Sequence, residues 1–272
     1  MRSGPAHRQL ALSASLHAGW RIARALLHVL SGLIVLRFRF PGLSPTARRR
    51  AIRRWSVQLL RIMGLRVRCR GELPRDHAPL LVAVNHVSWI DIFALLAHLP
   101  LVFVAKSEIR DWPVLGRLVA GAGTVFIERG RTRHAREANA RIAQVMTAGG
   151  MIGVFPEGTT TLGDRLLPFH AALFQPVIAA AGQVQPIALR YCLPDGRMTT
   201  LAAYVEGISL LGSVWQIARA DGLVVELQLG ALISATQGER RDLAHQAERA
   251  IASALQLPAP HRAHRIKPDP TA

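Results

Sequence analysis

Apolar residues along this chain follow two patterns, and the change between them falls near residue 65. Before it, they come in helix-length blocks bracketed by arginine. Residues 25–36 (ALLHVLSGLIVL) are broken only by His28 and Ser31, with Arg21 and Arg24 ahead and Arg37 and Arg39 behind. The run is shorter than the roughly 20 residues that cross a bilayer as one straight helix. It lacks an A-x-A exit, so a cleaved signal peptide is not expected. Pro41-Gly42 turns the chain, and Ser44-Pro45 opens a second helix, basic at its front (Arg48, Arg49, Arg50, Arg53, Arg54) and apolar at its back. The pattern predicts a loosely ordered stretch over 1–19, then a membrane-associated helical pair over 20–64, embedded in one leaflet or lying on it. A helical hairpin packed on a soluble domain is the alternative.

After residue 65 the apolar runs shorten to strand length, at 66–69, 80–84, 102–105, 124–127, 151–155, 184–190, 202–205 and 224–229. Helical stretches fall between them at 90–98, 112–120, 131–147, 171–181 and 212–220, and a last amphipathic helix at 238–255. This alternation predicts an α/β domain over 65–257, a mixed sheet flanked by helices. The Pro- and charge-rich tail over 258–272 reads as disordered.

Charge then narrows the partners. The chain of 272 residues carries 34 Lys+Arg against 17 Asp+Glu, a net +17, and only Lys106 and Lys267 are lysines. Such a surface attracts phosphate, on lipid headgroups or nucleic acid. No RNP-like, zinc-finger or helix-turn-helix signature is present, and the arginines cluster beside apolar segments. Membrane lipids are therefore the expected partner and nucleic acid is not. Cys69 and Cys192 have no CxxC spacing, which fits a reducing compartment. No His/Cys/carboxylate group has metal-ligand spacing, so no metal is expected.

Four segments carry candidate chemistry. In Asn85-His86-Val87-Ser88-Trp89-Ile90-Asp91, a strand ends on a histidine with a carboxylate five positions on. That pair would place a general base beside the group that orients it. Asp91 also has a structural explanation, a capping box with Ser88. In Gly121-Ala122-Gly123-Thr124-Val125-Phe126-Ile127-Glu128-Arg129, an arginine stands at a strand end, where its guanidinium would fork onto a phosphate or carboxylate; locally a solvated turn arginine explains it equally well. Met151 to Thr160 runs an apolar strand into Pro156-Glu157-Gly158-Thr159-Thr160. Gly158 there permits close backbone approach, and the threonines offer hydroxyls to anionic oxygens. The fourth segment, Val184 to Tyr191, opens a core strand near Pro186 and says nothing more by itself.

Together and in this order, His-x4-Asp, G-x-x-F-I-x-R, F-P-E-G-T and a strand opening on proline resemble the motif set of the glycerolipid acyltransferases, nearest the bacterial 1-acyl-glycerol-3-phosphate branch. The resemblance covers about residues 65–230. It implies that His86 takes a proton from an acceptor hydroxyl attacking an acyl thioester, and that Asp91 orients His86. It implies further that Arg129 and Gly123 hold the acceptor's phosphate, that Glu157, Gly158 and Thr159 help bind the acceptor, and that Pro186 shapes the acyl-donor side. No cofactor is implied; acyl-CoA or acyl-carrier protein is the co-substrate, a lysolipid the acceptor, and the cytoplasmic face of a bacterial inner membrane the location. Where the family usually reads F-P-E-G-T-R-S, this chain has Thr160. That departure brings in lyso-ornithine lipid as an alternative acceptor to 1-acyl-sn-glycerol-3-phosphate. Two rivals remain at this level: a serine hydrolase, against which stands the missing G-x-S-x-G elbow, and a non-catalytic basic membrane-binding protein.

Overall fold

The computed structural model describes residues 5–71, 79–112, 115–127, 132–236 and 238–260. Helices α1 (Pro5–Phe38) and α2 (Pro45–Ile62) come first, joined by a 3-10 turn at Phe40–Gly42. Ser44 caps α2, its hydroxyl accepting from the Ala47 N–H at 3.3 Å, and Pro45 occupies the first turn where no N–H is needed. Then follow β1 (Arg66–Arg70), β2 (Leu80–Val84), α3 (Asp91–Leu96), β3 (Leu101–Lys106), α4 (Leu115–Gly121), β4 (Val125–Ile127), α5 (Thr132–Thr147) and β5 (Met151–Val154). The chain continues through α6 (Gln175–Ala179), β6 (Gln183–Cys192), α7 (Leu210–Arg219), β7 (Val224–Leu229), β8 (Ile233–Ser234) and α8 (Arg240–Leu255).

The strands form one sheet in the order β1-β7-β6-β2-β5-β3-β4, with β8 also on β6. All pairings are parallel except β6 with β7 and β6 with β8. This is the mixed sheet flanked by helices that the alternation predicts. Its centre is β2, whose five residues are all buried. Leu80, Val82 and Val84 face one core with residues of α2, α3 and α7; Leu81 and Ala83 face the other with residues of α5 and α8. Helices cover both faces, so β2 reads in sequence as an unbroken apolar run without alternation. The carboxyl ends of β2 and β5 lie side by side, Ala83 opposite Val154, and each leads into one of the candidate segments.

Three expectations change. Residues 202–205 do not pair as a strand. Ala202 and Ala203 are buried, but Tyr204 spends its N–H on the Val87 carbonyl, so the segment runs as a loop beside the turn that follows β2. The predicted helix over 171–181 splits into a 3-10 turn, Ala171–Phe174, and the short α6, because Pro176 has no N–H to continue a single helix. And α1 begins at Pro5, not near residue 20. Good helix formers among residues 10–18 extend it upstream, and Ala14–Phe38 forms a 25-residue stretch long and apolar enough to cross a membrane by length and composition. The expected disordered tail over 258–272 lies mostly outside the described residues.

Candidate active site

The turn after β2 is fixed at nearly every polar backbone atom. Asn85, buried at the strand end, donates from Nδ2 to the Leu189 carbonyl at 2.9 Å, and its Oδ1 accepts from the Leu189 N–H at 2.7 Å. Its side chain so continues the pairing with β6 where the backbone leaves the sheet. The His86 N–H donates to Glu157 Oε1 at 2.8 Å, and the His86 carbonyl accepts from Thr161 N at 2.9 Å. A turn held this way sets the direction of the imidazole before any ligand arrives.

Asp91 completes it. Its Oδ2 accepts from His86 Nδ1 at 2.9 Å and from the N–H groups of Val87 and Ser88 at 2.8 and 2.9 Å. Its Oδ1 accepts from the Tyr191 hydroxyl at 2.5 Å. The Asp91 side chain is 0% exposed and that of His86 18%. An ionised carboxylate is acceptor-only, so Nδ1 carries the hydrogen and the neutral ring presents Nε2 as a lone pair. The ring lies flat on Phe155, centroids 3.9 Å apart and 13° between planes, and Phe155 in turn stacks on Phe103 at 5.6 Å. The capping box predicted for Ser88 forms by half: Asp91 reaches back to the Ser88 N–H, but the helix starts from Ile90 without a side-chain cap. The cap and the orienting function are thus one arrangement.

Glu157 joins this turn to the next. Its Oε1 takes the His86 N–H and its Oε2 takes the Leu167 N–H at 2.8 Å, and the side chain is buried. Burial pushes its carboxyl from 4.5 up to about 7, against those two backbone donors. The folded chain therefore holds this proton more tightly than the unfolded chain. Stability is expected to fall as pH rises from about 4.5 to 7, by up to about 3 kcal/mol. Thermal melts between pH 4.5 and 8 check this: the decline should be shallower in Glu157→Gln. Equal pH dependence in both proteins would refute it.

The remaining candidates divide. Gly158 has φ +72°, a backbone form that favours glycine. Thr159 is exposed beside it. The hydroxyl of Thr160, at the departure from the family pattern, donates to the Tyr204 carbonyl, tying the 199–208 loop to this turn. Gly123 sits at φ +88° just beyond α4; its N–H bonds Ala120 O and the next N–H bonds Val119 O, a Schellman ending that explains the glycine on structural grounds. Pro186 lies at the point of β6 where pairing changes from β8 to β7, so its missing N–H breaks no ladder. Arg129 and Arg131 lie outside the described residues. The structure thus brings His86, Asp91 and Glu157 into one hydrogen-bonded unit. It adds Asn85, Phe155, Tyr191 and Tyr204, which sequence reasoning did not single out. Among the described residues no group of three or more His, Cys, Asp or Glu is placed to hold a metal.

Known proteins are similar to this chain in sequence and in fold. The family described as Acyltransferase matches residues 66–190. A lyso-ornithine lipid O-acyltransferase from Pseudomonas aeruginosa is 39% identical over 227 residues, 83% of this chain and 86% of that one. A 1-acyl-sn-glycerol-3-phosphate acyltransferase from Neisseria meningitidis is 36% identical over 200 residues, 74% and 78% of the two chains. In fold, the chain is similar to the crystal structure of the 1-acyl-sn-glycerophosphate acyltransferase of Thermotoga maritima, with a TM-score of 0.62 at 20% identity over 87% of this chain and 96% of that one. The chain belongs to the acyltransferase family.

Proposed function

We propose that this enzyme transfers a fatty acyl group from a thioester, acyl-CoA or acyl-carrier protein, to the free hydroxyl of a lysolipid. The observation that carries the reading is the imidazole with Nδ1 bonded to a buried carboxylate, and Nε2 without a partner among the described residues, on a partly exposed ring. His86 Nε2 takes the acceptor's hydroxyl proton as the oxygen attacks the thioester carbonyl, and the thiol leaves with a proton returned from the imidazolium. Asp91 stabilises the imidazolium between these steps. No acyl-enzyme is needed. The first acceptor is 1-acyl-sn-glycerol-3-phosphate, its phosphate met by Arg129. Lyso-ornithine lipid is the second reading. In its favour, Thr160 stands where the family usually has a cation, and its hydroxyl is spent on the Tyr204 carbonyl. Assaying the purified enzyme with both acceptors tests this. Faster acylation of lysophosphatidate is expected; acylation of lyso-ornithine lipid alone selects the second reading, and acylation of neither sinks the function.

The enzyme works at a membrane, in our reading, because α1 carries a continuous apolar stripe on the side away from its packing contacts. Its inner side is held by Arg21, which donates to the Ala218 and Ala220 carbonyls at the end of α7, and by His28, stacked on Trp55 of α2 at 4.7 Å. On the outer side Leu16, Trp20, Leu27, Leu30, Ile34 and Phe38 are each at least half exposed. At 100° per residue they fall within about 80° of one another, a stripe about 33 Å long. Among the described residues nothing covers it, and a patch of this extent marks an interaction surface. Leu27→Asp with Ile34→Asp is expected to move the protein from the membrane pellet to the soluble fraction while leaving the inner contacts intact. Unchanged sedimentation would place the anchor elsewhere.

A further inference from the structure

Between α1 and α2 lies a groove of about 830 Å³ lined by Arg24, Arg50, Arg53, Arg54 and Arg61 over Val57 and Ile62. No carboxylate among the described residues lines it. The ion pairs formed by arginine elsewhere in the described residues involve Arg21, Arg68, Arg190 and Arg197, none of them in the groove. Arg53 is held in place, its Nε donating to the Ala97 carbonyl at the end of α3 at 3.0 Å. Guanidiniums gathered around one concavity without a counter-charge repel each other, and an anion relieves that repulsion. Their planar forks match phosphate oxygens. Arg24 lies about 80° round α1 from the centre of the exposed apolar stripe, so the groove opens beside it. An apolar face flanked by arginines matches the boundary between acyl chains and phosphates.

We propose that this groove binds the headgroup phosphates of anionic phospholipids and gives the enzyme a preference for anionic over neutral membranes. This rests on the membrane reading of α1, whose own failure would appear in the Leu27 and Ile34 variant.

The test is flotation of the full chain with phosphatidylcholine vesicles, with and without phosphatidylglycerol. Arg50→Ala/Arg54→Ala/Arg61→Ala is compared with Arg240→Ala/Arg241→Ala/Arg249→Ala. The second variant removes the same charge from exposed positions of α8, which packs on the opposite face of the sheet. With each basic side chain near a charged surface contributing about 1 kcal/mol, the groove variant is expected to lose about a hundredfold of its preference for anionic vesicles and the control far less. Equal losses would show only the effect of net charge and overturn the site. So would a groove variant that floats as the parent does but turns over acyl-carrier protein more slowly, since that assigns the arginines to a protein partner. A pyrophosphate-induced rise in melting temperature equal in parent and groove variant would also count against it.

A second inference comes from beneath the catalytic pair. Tyr191, on β6, is fully buried and donates to the Asp91 oxygen that His86 does not use. We infer that Tyr191 is a positioning residue that sets the basicity of His86 through Asp91. Removing its donor concentrates charge on the carboxylate, which then favours the imidazolium more strongly.

The inference rests on His86 as base, which His86→Ala tests separately. In Tyr191→Phe the acid limb of the pH profile of kcat/KM is expected to move up by half a unit or more, with several-fold loss of kcat. A fall in rate with an unmoved limb would show a merely structural tyrosine and overturn the inference. Should the phenylalanine variant fold poorly, 3-fluorotyrosine at position 191 keeps the shape and strengthens the donor. The limb should then move down, and an unmoved limb overturns the inference equally.

Discussion

Alanine at position 86 is expected to lower acyl transfer at least a thousandfold while the protein stays folded. A positioned base contributes typically 10²–10⁴-fold, and among the described residues His86 is the one imidazole bonded to Asp91. The fold should tolerate the change for a local reason. Without the imidazole, Asp91 keeps the N–H groups of Val87 and Ser88 and the hydroxyl of Tyr191, so its buried charge is not orphaned. The backbone bonds of residue 86 to Glu157 and Thr161 need no side chain. What is lost is the stack on Phe155, at a partly exposed ring, worth about 1 kcal/mol. Transfer of a labelled acyl chain from the thioester, read beside a thermal melt, measures both. Activity within tenfold of the parent would remove His86 from the reaction. Inactivity accompanied by unfolding would contradict the local argument.

How far the sequence carries is best seen residue by residue. The unbroken apolar run of β2 and the histidine at its end are local features, and they were legible. Asp91 was legible twice over, as a cap and as a partner, and the structure merges the two. Glu157 stood out because packing does not call for a carboxylate between proline and glycine, and it proves to hold the His86 turn. Tyr191 was invisible for a physical reason. It lies 100 residues from Asp91 in a strand whose pattern reports only burial, and only the parallel pairing of β2 with β6 brings them together. The 202–205 segment misled because buried alanines and a tyrosine look the same whether their N–H groups pair in a ladder or with a neighbouring turn. For α1, the apolar run alone understates a helix that small residues extend by some four turns.

Asparagine at position 91 is expected to keep the fold and lose at least a thousandfold in activity, because this site separates charge from shape. The amide oxygen would take the place of Oδ2 and still accept from His86 Nδ1, Val87 N and Ser88 N. The amide nitrogen would then face the Tyr191 oxygen, and a phenol accepts as well as donates. Its hydrogen has an alternative acceptor, for Ser88 Oγ is buried beside the phenol. The orientation and tautomer of His86 are therefore preserved, and the loss falls on the imidazolium formed as the hydroxyl is deprotonated, which no longer meets a negative charge in a dry site. Asp91→Ala is different: it leaves two N–H groups and a phenol without an acceptor in the interior, at about 1–3 kcal/mol each, and should cost stability as well as rate. Comparing the two variants by melting temperature and by single-turnover acyl transfer distinguishes the contributions. Near-parental activity in Asp91→Asn would show that the carboxylate serves only to hold the turn, leaving His86 to act without its charge.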